Sequence, residues 1–190
     1  MKYIIEHLDK RLYKWSQIEY EHISQIVGKN NLIFTNAKTD FVFTSLSKLG
    51  KTFRESIREL VISDFKQMKL CLLDSNAKKT FSFEDKFDAL VFGGILGDDP
   101  PQGRTLSELG RLKLPLRNLG DMQMPTDNAM FAAREIALGK KFSDLKFAEA
   151  IEIELSEIDS VILPFRYVLI DGMPLISDKL IKYLKKRQHF

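Results

Sequence analysis

Short, continuous apolar runs restrict the fold of this chain more than any other feature of its sequence. KLCLLD at 69–74 and DALVFGG at 88–94 have apolar interiors without the alternation of a half-exposed strand. KYIIE at 2–6 and NLIF at 31–34 are shorter runs of the same kind. Strands of this type are buried on both faces, as in a parallel sheet that carries helices on each side.

Segments with helical periodicity alternate with these runs. Apolar residues recur at helical spacing over 13–27, and Gly28 follows as a C-cap. Further helices are predicted over about 104–111, 126–138 and 177–187. This alternation of strands and helices predicts an α/β fold, with a mainly parallel sheet flanked by helices.

The second half of the chain is predicted to add three strand segments. PLRNLG at 115–120 is a short strand, and KFAEAIEIELS at 146–156 alternates apolar and polar residues like one half-exposed strand. The stretch 160–176 predicts a strand pair around a turn at Asp171–Gly172. No linker or repeat interrupts the sequence, so we expect a single domain over residues 1–190.

Composition argues against several function classes. The net charge of +3 comes from 29 basic and 26 acidic residues mixed along the chain, which is weak evidence for a nucleic-acid binder. No apolar run approaches the ~18–20 residues that cross a bilayer. The 3 histidines have no metal-ligand spacing, and the 1 cysteine, Cys71, lies within an apolar run. An unpaired cysteine of this kind indicates a reducing compartment, so we expect a cytoplasmic protein.

A glycine-bearing loop follows the second long apolar run. In DALVFGGILGDDPPQGRT, residues 88–105, the run ends in Gly93–Gly94, passes Gly97 and becomes acidic at Asp98 and Asp99 before two prolines. Ligands of open α/β sheets lie beyond the carboxyl ends of the strands, where glycine allows close approach of the backbone. The spacing is not that of a dinucleotide motif or a P-loop. Taken alone, a tight turn between strand and helix explains the loop equally well.

A second loop of this kind, RNLGDMQMPTDNA at 117–129, leads from a short strand into a helix. Thr126 or Asp127 is expected to be the N-cap of that helix. Met122 and Met124 either fill the core or flank a flat heteroaromatic ring. Two such loops after neighbouring strands predict a pocket with largely backbone walls, which suits an adenine.

Both loops, together with KYIIEHL, the W and IEY that follow it, and LPFRYVL, resemble the SPOUT-class protein arginine methyltransferase family known from fungi. The resemblance runs in the same order over most of the chain and is thin between about 35 and 68. It implies a SPOUT fold with a C-terminal trefoil knot, S-adenosyl-L-methionine as the cofactor, and a monomer. The substrate it implies is an arginine of a small-subunit ribosomal protein.

The resemblance also implies which residues bind the cofactor. Those expected to flank its ribose and methionine end are Gly93, Gly94, Ile95 and Gly97. Those expected to surround the adenine are Leu119, Gly120, Met122, Met124 and Thr126. Departures from the family pattern at Asp99, Asn118 and Pro125 bear on substrate fit. Arg104 is placed to hold the cofactor's carboxylate, with a salt bridge to Asp98 or Asp99 as the alternative.

Carboxylates are the side chains best suited to prepare an arginine for methylation. A guanidinium, with a pKa above ~12, is a poor nucleophile until it is oriented and loses a proton. Planar bidentate pairing with a carboxylate achieves the orientation. Glu6, at the end of the first strand, and Asp98 and Asp99, in the first loop, are the candidate catalytic residues, each with a structural alternative as a surface acid or salt-bridge partner. Glu19 is a weaker candidate, because a glutamate within a helix is usually solvated.

Two other functions are compatible with the sequence. RNA methylation is the commoner activity of the SPOUT class and fits the slight basic excess and the KYLKKRQ tail at 182–188, although no RNA-binding domain is appended. A cofactor-free interaction module on the same scaffold is the second. Salt dependence of RNA binding distinguishes the former, and cofactor binding distinguishes the latter.

Overall fold

The computed structural model describes residues 1–95 and 103–187. Its centre is a six-stranded sheet with the strand order β3-β2-β1-β5-β4-β6. The strands are β1 (Lys2–His7), β2 (Leu32–Thr35), β3 (Lys51–Thr52), β4 (Leu70–Leu73), β5 (Ala89–Gly94) and β6 (Leu116–Arg117). All neighbours in this sheet are parallel, which confirms the predicted mainly parallel sheet.

Helices cover both faces of the central sheet. They are α1 (Lys14–Val27), α2 (Asp40–Ser47), α3 (Ile57–Leu60), α4 (Arg104–Leu109), α5 (Thr126–Ala137) and α6 (Asp178–Arg187). Tyr3 and Ile5 of β1 join the core formed with α1, α2 and α5, whereas Ile4 joins the core formed with α3 and α4. Because successive residues of a strand point to opposite faces, burial on both faces explains why these strands are continuously apolar.

The C-terminal part contains five short strands in two separate sheets. They are β7 (Lys146–Ala148), β8 (Ile151–Glu154), β9 (Ser160–Leu163), β10 (Tyr167–Ile170) and β11 (Met173–Pro174). β10 pairs antiparallel with both β7 and β11, and β8 forms an antiparallel hairpin with β9. The predicted turn at Asp171–Gly172 is confirmed, since φ is +50° and +82° at these residues between β10 and β11.

One predicted strand is wrong: 146–156 is not continuous. One strand, β7, ends at Ala148 and a second, β8, begins at Ile151, and the two strands pair with different partners. Apolar and polar residues alternate through the break, so the pattern shows which residues are half-buried but not where the pairing partner changes. The predicted strand at 115–120 is also shorter, because only Leu116–Arg117 pairs in β6.

A third apolar core attaches the C-terminal part to α1. Ile18 of α1 packs with Ile151 of β8, Leu163 of β9 and Leu180 of α6. Helix α1 therefore lies between the central sheet and the C-terminal strands, which bring β10 close to the carboxyl edge of the sheet. Among the described residues, no helix is both long enough and apolar enough to cross a membrane.

Candidate functional site

A cavity of about 720 Å³ lies at the carboxyl edge of the central sheet. Its walls come from the ends of β4 and β5, the loop after β6, the start of α4, and α1 with β10. This volume is in the ~300–1,000 Å³ range of small-molecule sites, and its position is where open α/β sheets bind ligands. We divide the lining residues into two groups. The loop half consists of residues from the two glycine-bearing loops, and the aromatic half consists of Trp15, Glu19, Phe165 and Tyr167.

The loop half contains most of the residues that the sequence predicts to bind a cofactor. Those that line the cavity are Gly93, Ile95, Arg104, Leu119, Gly120, Met122, Met124 and Thr126. Gly97, Asp98 and Asp99 lie outside the described residues. Gly94 and Glu6 are not brought to the cavity wall, and each has a structural reason.

Gly94 lies at the end of β5 but faces α1. A methyl group on its Cα would stand 2.4 Å from the Tyr20 hydroxyl and 2.5 Å from Ile5 Cγ2. The missing side chain at Gly94 is therefore required by the packing of β5 against α1. Gly93 differs, because it lines the cavity, and a Cβ there would meet Thr105 Oγ1 of α4 at 2.2 Å.

Glu6 lies on the opposite face of the sheet, the face that carries α3. Its side chain is 1% exposed and accepts hydrogen bonds from Thr35 Oγ1 at 2.5 Å, Ser56 Oγ at 2.6 Å and the Ile57 backbone N–H at 2.9 Å. It shares this face with Ile4, two residues earlier in β1. The carboxylate thus ties the N-terminus of α3 to the sheet, and Glu6 is not among the residues that line the cavity.

The loop after β6 is held in place by contacts within its own residues and from the C-terminal part. Asn118 Oδ1 accepts a hydrogen bond from the Gly120 N–H at 3.0 Å, and Gly120 has φ +89°. The Arg166 backbone N–H donates to the Gln123 carbonyl at 2.9 Å, and its guanidinium is 3.3 Å from Asp121 Oδ1. The backbone that forms this wall of the cavity is therefore fixed before any ligand binds.

Three acidic residues line the described part of the cavity: Glu19, Asp74 and Asp121. Asp74 accepts two hydrogen bonds from Asn76, and Asp121 pairs with Arg166. Glu19 is only a weaker candidate from the sequence. The expectation of a solvated helix residue is wrong, since Glu19 is 6% exposed and lines the cavity. Burial raises the pKa of its carboxyl well above the ordinary 4.5, and the charge of Asp127 raises it further. A hydrogen bond with the Thr126 backbone opposes these effects in part. Its position four residues after Trp15, on one face of α1, is the sequence signal that could have identified it.

Three aromatic side chains line the cavity together with Glu19. Trp15, Phe165 and Tyr167 also belong to the apolar core of the C-terminal part, and with Glu19 they form the aromatic half. Tyr167 is 1% exposed, and burial raises the pKa of its hydroxyl, with smaller contributions from Asp127 and Glu19. A buried carboxylate beside flat apolar rings is an environment that fits a planar cation.

Asp127 does not cap α5, contrary to the sequence prediction, and neither does Thr126. The N-cap position is Pro125, which makes no side-chain capping bond. Asp127 instead accepts a hydrogen bond from His22 Nδ1 at 2.8 Å and two from the backbone N–H and Nδ2 of Asn128, at 2.8 and 3.0 Å. Its carboxylate therefore connects α5 to α1 beside Glu19.

Other chemistries find no support in the described residues. Burial raises the pKa of the Cys71 thiol to about 12, so it is not a nucleophile at neutral pH. Over residues 1–95 and 103–187, no group of three or more histidine, cysteine or acidic side chains has the arrangement of a metal site. The cavity thus combines a backbone-walled half that fits a nucleoside with an acidic, aromatic half that fits a cation.

Comparison with known proteins agrees with this geometry. The family described as "Protein arginine N-methyltransferase SFM1-like" matches residues 2–189. The chain is 36% identical over 202 residues to protein arginine N-methyltransferase SFM1 of Saccharomyces cerevisiae, a match that covers 98% of this chain and 95% of the yeast protein.

Solved structures show the same relationship. The yeast arginine methyltransferase SFM1 complexed with SAM has a TM-score of 0.88 at 35% identity, covering 98% of this chain and 90% of that chain. Its complex with SAH has a TM-score of 0.87 at 34% identity, covering 96% and 94%. A dual-specific Trm10 from Thermococcus kodakaraensis shares the fold, with a TM-score of 0.57, 16% identity, and coverage of 75% of this chain and 95% of that chain.

Proposed function

This chain belongs to the SFM1-like family of protein arginine N-methyltransferases, and we propose that it transfers a methyl group from S-adenosylmethionine to an arginine side chain of a protein substrate. The observation that carries this function is the position of Glu19. Its buried carboxylate stands in the same cavity as the backbone-walled loops, so that a cation bound to it would lie beside a ligand held by Gly93 and Met122.

The loop half of the cavity fits the cofactor. Leu119, Met122 and Met124 provide apolar surface for an adenine, and the fixed backbone after β6 provides polar groups at its edge. Arg104, in the first turn of α4, lies on the same wall and supplies positive charge for the cofactor's carboxylate. S-adenosylmethionine supplies an electrophilic methyl group when bound.

Glu19 performs the acid–base step in this proposal. The guanidinium of the substrate pairs with the Glu19 carboxylate between the rings of Trp15 and Tyr167. As one guanidinium nitrogen gains the methyl group, it loses one proton, which moves to a Glu19 oxygen. A carboxyl group with a raised pKa holds that proton more readily than an ordinary glutamate. The aromatic side chains exclude water and so strengthen the ion pair.

Asp98 and Asp99 remain candidate partners of Glu19 in this reaction. They follow Ile95, which lines the cavity and is the last described residue before 96–102. Two carboxylates would fix both edges of the guanidinium and restrict its rotation. Replacing each aspartate separately by asparagine, with methyl transfer as the readout, shows whether either one contributes.

A basic protein fits the surface beside the cavity better than RNA does. The hairpin β8–β9 and its approach carry five exposed acidic residues and no basic residue over 148–165: Glu149, Glu152, Glu154, Glu157 and Asp159. This hairpin packs through Ile151 on the same core as Trp15 and Tyr167, and so adjoins the aromatic half of the cavity. Clustered negative charge repels phosphate and attracts a lysine- and arginine-rich polypeptide. A small-subunit ribosomal protein is such a polypeptide.

We also propose the finer features that the family resemblance implies: a SPOUT trefoil knot, a single domain, a monomeric state and a cytoplasmic location. The loop after β6, which the resemblance places in the knot, packs closely against later parts of the chain. A Cβ on Gly120 would lie 2.7 Å from Arg166 Nη1 and 2.8 Å from Phe142 Cζ. A crystal structure that traces residues 96–102 tests the knot, and sedimentation tests the monomer.

Methyl transfer from labelled S-adenosylmethionine tests the function. We expect label in protein when ribosomal proteins and ribosomal RNA are offered together, and label only in RNA would establish the alternative activity. Glu19→Gln should remove the label, whereas Glu21→Gln, a change on the same helix at a residue paired with Lys179, should retain it.

Calorimetry separates cofactor binding from catalysis. Arg104→Ala should weaken S-adenosylmethionine binding, whereas Arg111→Ala, an exposed arginine just after the same helix, should not. If the wild-type protein binds no S-adenosylmethionine, the proposed enzyme function is wrong and the interaction module is the better hypothesis.

A further inference from the structure

Three ionisable side chains meet where α1 packs across the first turn of α5. Glu19 and His22 lie one helical turn apart on α1, and Asp127 lies next to Thr126 on α5. Glu19 interacts with the Thr126 backbone, so the two α1 side chains reach adjacent residues of α5. Only Glu19 of the three lines the cavity, which leaves His22 and Asp127 behind it.

Asp127 is fixed from both helices. His22 Nδ1 is 2.8 Å from Asp127 Oδ2, and the two side chains are 13% and 3% exposed. The other oxygen, Oδ1, accepts both hydrogen bonds from Asn128. Asn128 is fully buried, accepts the Val168 backbone N–H at 2.8 Å and donates to the Leu175 carbonyl at 3.0 Å. Both carboxylate oxygens are therefore occupied by donors.

We propose that His22 is a positioning residue for the reaction: through Asp127 it holds Glu19 at the cavity and sets the negative charge that Glu19 experiences. This inference rests on the proposed function for its catalytic meaning. The contact itself has two consequences that can be measured separately. It fixes how α1 crosses α5, and it gives a hydrogen-bond donor to the Asp127 carboxylate, whose charge acts on Glu19.

The charges around Glu19 determine the direction of each effect. Asp127 on α5 and Asp9 after β1 both raise the pKa of Glu19, in addition to burial. Tyr20 on α1 and Tyr167 on β10 are neutral neighbours, whose pKa values are themselves raised by burial. On the side of α6, Lys179 pairs with Glu21 at 2.8 Å and so links α1 to the C-terminal helix instead.

Two substitutions should consequently shift the pKa of Glu19 in opposite directions. His22→Leu leaves the Asp127 charge without its donor on α1, which makes Glu19 harder to ionise. Asp127→Asn removes the charge, which makes Glu19 easier to ionise. His22→Asn keeps an N–H donor close to the position of Nδ1, so the ionisation of Glu19 should stay as in the wild type. A purely structural contact would lower stability in all three variants without moving the ionisation of Glu19.

The first readout is the pH dependence of kcat/KM for methyl transfer. The acidic limb of this pH profile, where activity falls because Glu19 becomes protonated, should shift by about 0.5–1 pH unit in each variant. The shift should be to higher pH in His22→Leu and to lower pH in Asp127→Asn. Lys179→Met is the matched control, since it breaks a contact of the same helix remote from the cavity. Its limb should coincide with that of the wild type, as should that of His22→Asn.

The second readout needs neither cofactor nor substrate. A carboxyl group whose folded pKa is raised makes stability fall as pH rises through that pKa, because the folded state binds the extra proton. In the cofactor-free protein this fall should begin above about pH 4.5 and disappear in Glu19→Gln. In Asp127→Asn it should begin at the same pH but end at a lower pH, because the folded pKa of Glu19 is then raised less. Chemical unfolding over a pH series measures it, and remains informative if His22→Leu does not fold.

The two readouts distinguish failure of this inference from failure of the proposed function. Shifted stability windows in a protein without methyltransferase activity would keep the His22–Asp127 coupling and reject the function. Two results would overturn the inference. One is that the pH range of the stability loss and the acidic limb of the activity profile are the same in wild type, Asp127→Asn and Lys179→Met. The other is that both shift in the same direction in His22→Leu and Asp127→Asn.

Discussion

The Glu6 carboxylate receives a 2.6 Å hydrogen bond from the hydroxyl of Ser56, the residue at the N-cap of α3. Fifty residues of sequence separate the two, and the contact closes α3 onto β1. Glu6 lies at the end of a central strand near the candidate site, but its carboxylate binds the N-terminus of α3. Its two remaining hydrogen bonds, from Thr35 and Ile57, belong to the same side.

Glu6→Ala is expected to destabilise the fold by about 3 kcal/mol, because two buried donors and the half-buried Ser56 hydroxyl lose their acceptor. Denaturant unfolding measures this change. In the fraction that folds, the dissociation constant for S-adenosylmethionine should stay close to that of the wild type. Weaker cofactor binding at unchanged stability would instead place Glu6 in the catalytic or binding machinery.

Gly94→Ala should likewise act on packing. The added methyl group would stand 2.4 Å from the Tyr20 hydroxyl, and overpacking of this kind costs about 1–3 kcal/mol. Tyr20→Phe removes that hydroxyl and should recover part of the loss in the double variant, although Ile5 Cγ2 stays at 2.5 Å. Gly110→Ala is the control, since a Cβ there meets only the flexible end of Leu106 at 3.2 Å. Equal unfolding midpoints for the Gly94 and Gly110 variants would contradict the prediction.

The sequence predicted the sheet well because its signal is local. Continuous apolar runs in β4 and β5 report burial on both faces, and burial on both faces requires helices on each side. The two glycine loops are predicted for a similar reason, since glycine permits and proline fixes particular backbone conformations wherever they occur. Eight of the predicted ligand residues accordingly line one cavity.

The choice of catalytic acid depends on information that is not local. Glu6 and Glu19 are both acids near the N-terminus, and which one faces the ligand is decided by where α5 and β10 pack, more than 100 residues later. Periodicity indicated that one face of α1 is apolar but not that Glu19 would be covered by Tyr167 and Asp127. Asp127 was read as a cap because its partner, His22, is 105 residues away.

Glu19→Gln should inactivate the protein and also stabilise it. Because the folded pKa of Glu19 is raised, its charge opposes folding above that pKa, and the penalty disappears as pH falls through it. Glutamine keeps an acceptor for the Thr126 backbone without the charge. At neutral pH we expect a gain of about 1 kcal/mol, or about 2–4 °C in Tm for a chain of this size. Calorimetric unfolding at pH 7 and at pH 5 checks it, and the gain should be smaller at pH 5. A variant less stable than wild type at both values would show that the Glu19 charge does not oppose folding.

Asp85 and Arg117 should give the opposite dependence on pH. Arg117 donates to both oxygens of Asp85, from Nε at 2.9 Å and from Nη2 at 2.5 Å, and both side chains are 16% exposed. The hydrogen bond from Arg117 lowers the pKa of the Asp85 carboxyl below its ordinary 3.8. A lowered folded pKa contributes stability that is complete above pH 3.8 and is lost as pH falls through the folded value. Asp85→Asn should therefore cost about 1–3 kcal/mol at pH 7 and progressively less under acid conditions.

Asp40→Asn is the matched control for this pair. Asp40 also pairs with an arginine, at 2.6 Å from Arg54, but its side chain is 91% exposed. Exposed pairs contribute little because water screens them and both side chains lose conformational freedom. Unfolding curves at pH 7 should consequently separate the two variants, with Asp40→Asn close to wild type. The curves should converge only at pH values well below 3.8, because the pairing with Arg117 lowers the pKa at which the folded Asp85 carboxyl is protonated. A cost for Asp85→Asn that stays constant down to the lowest pH would mean that the carboxylate charge adds nothing to the hydrogen-bond geometry at the end of β6.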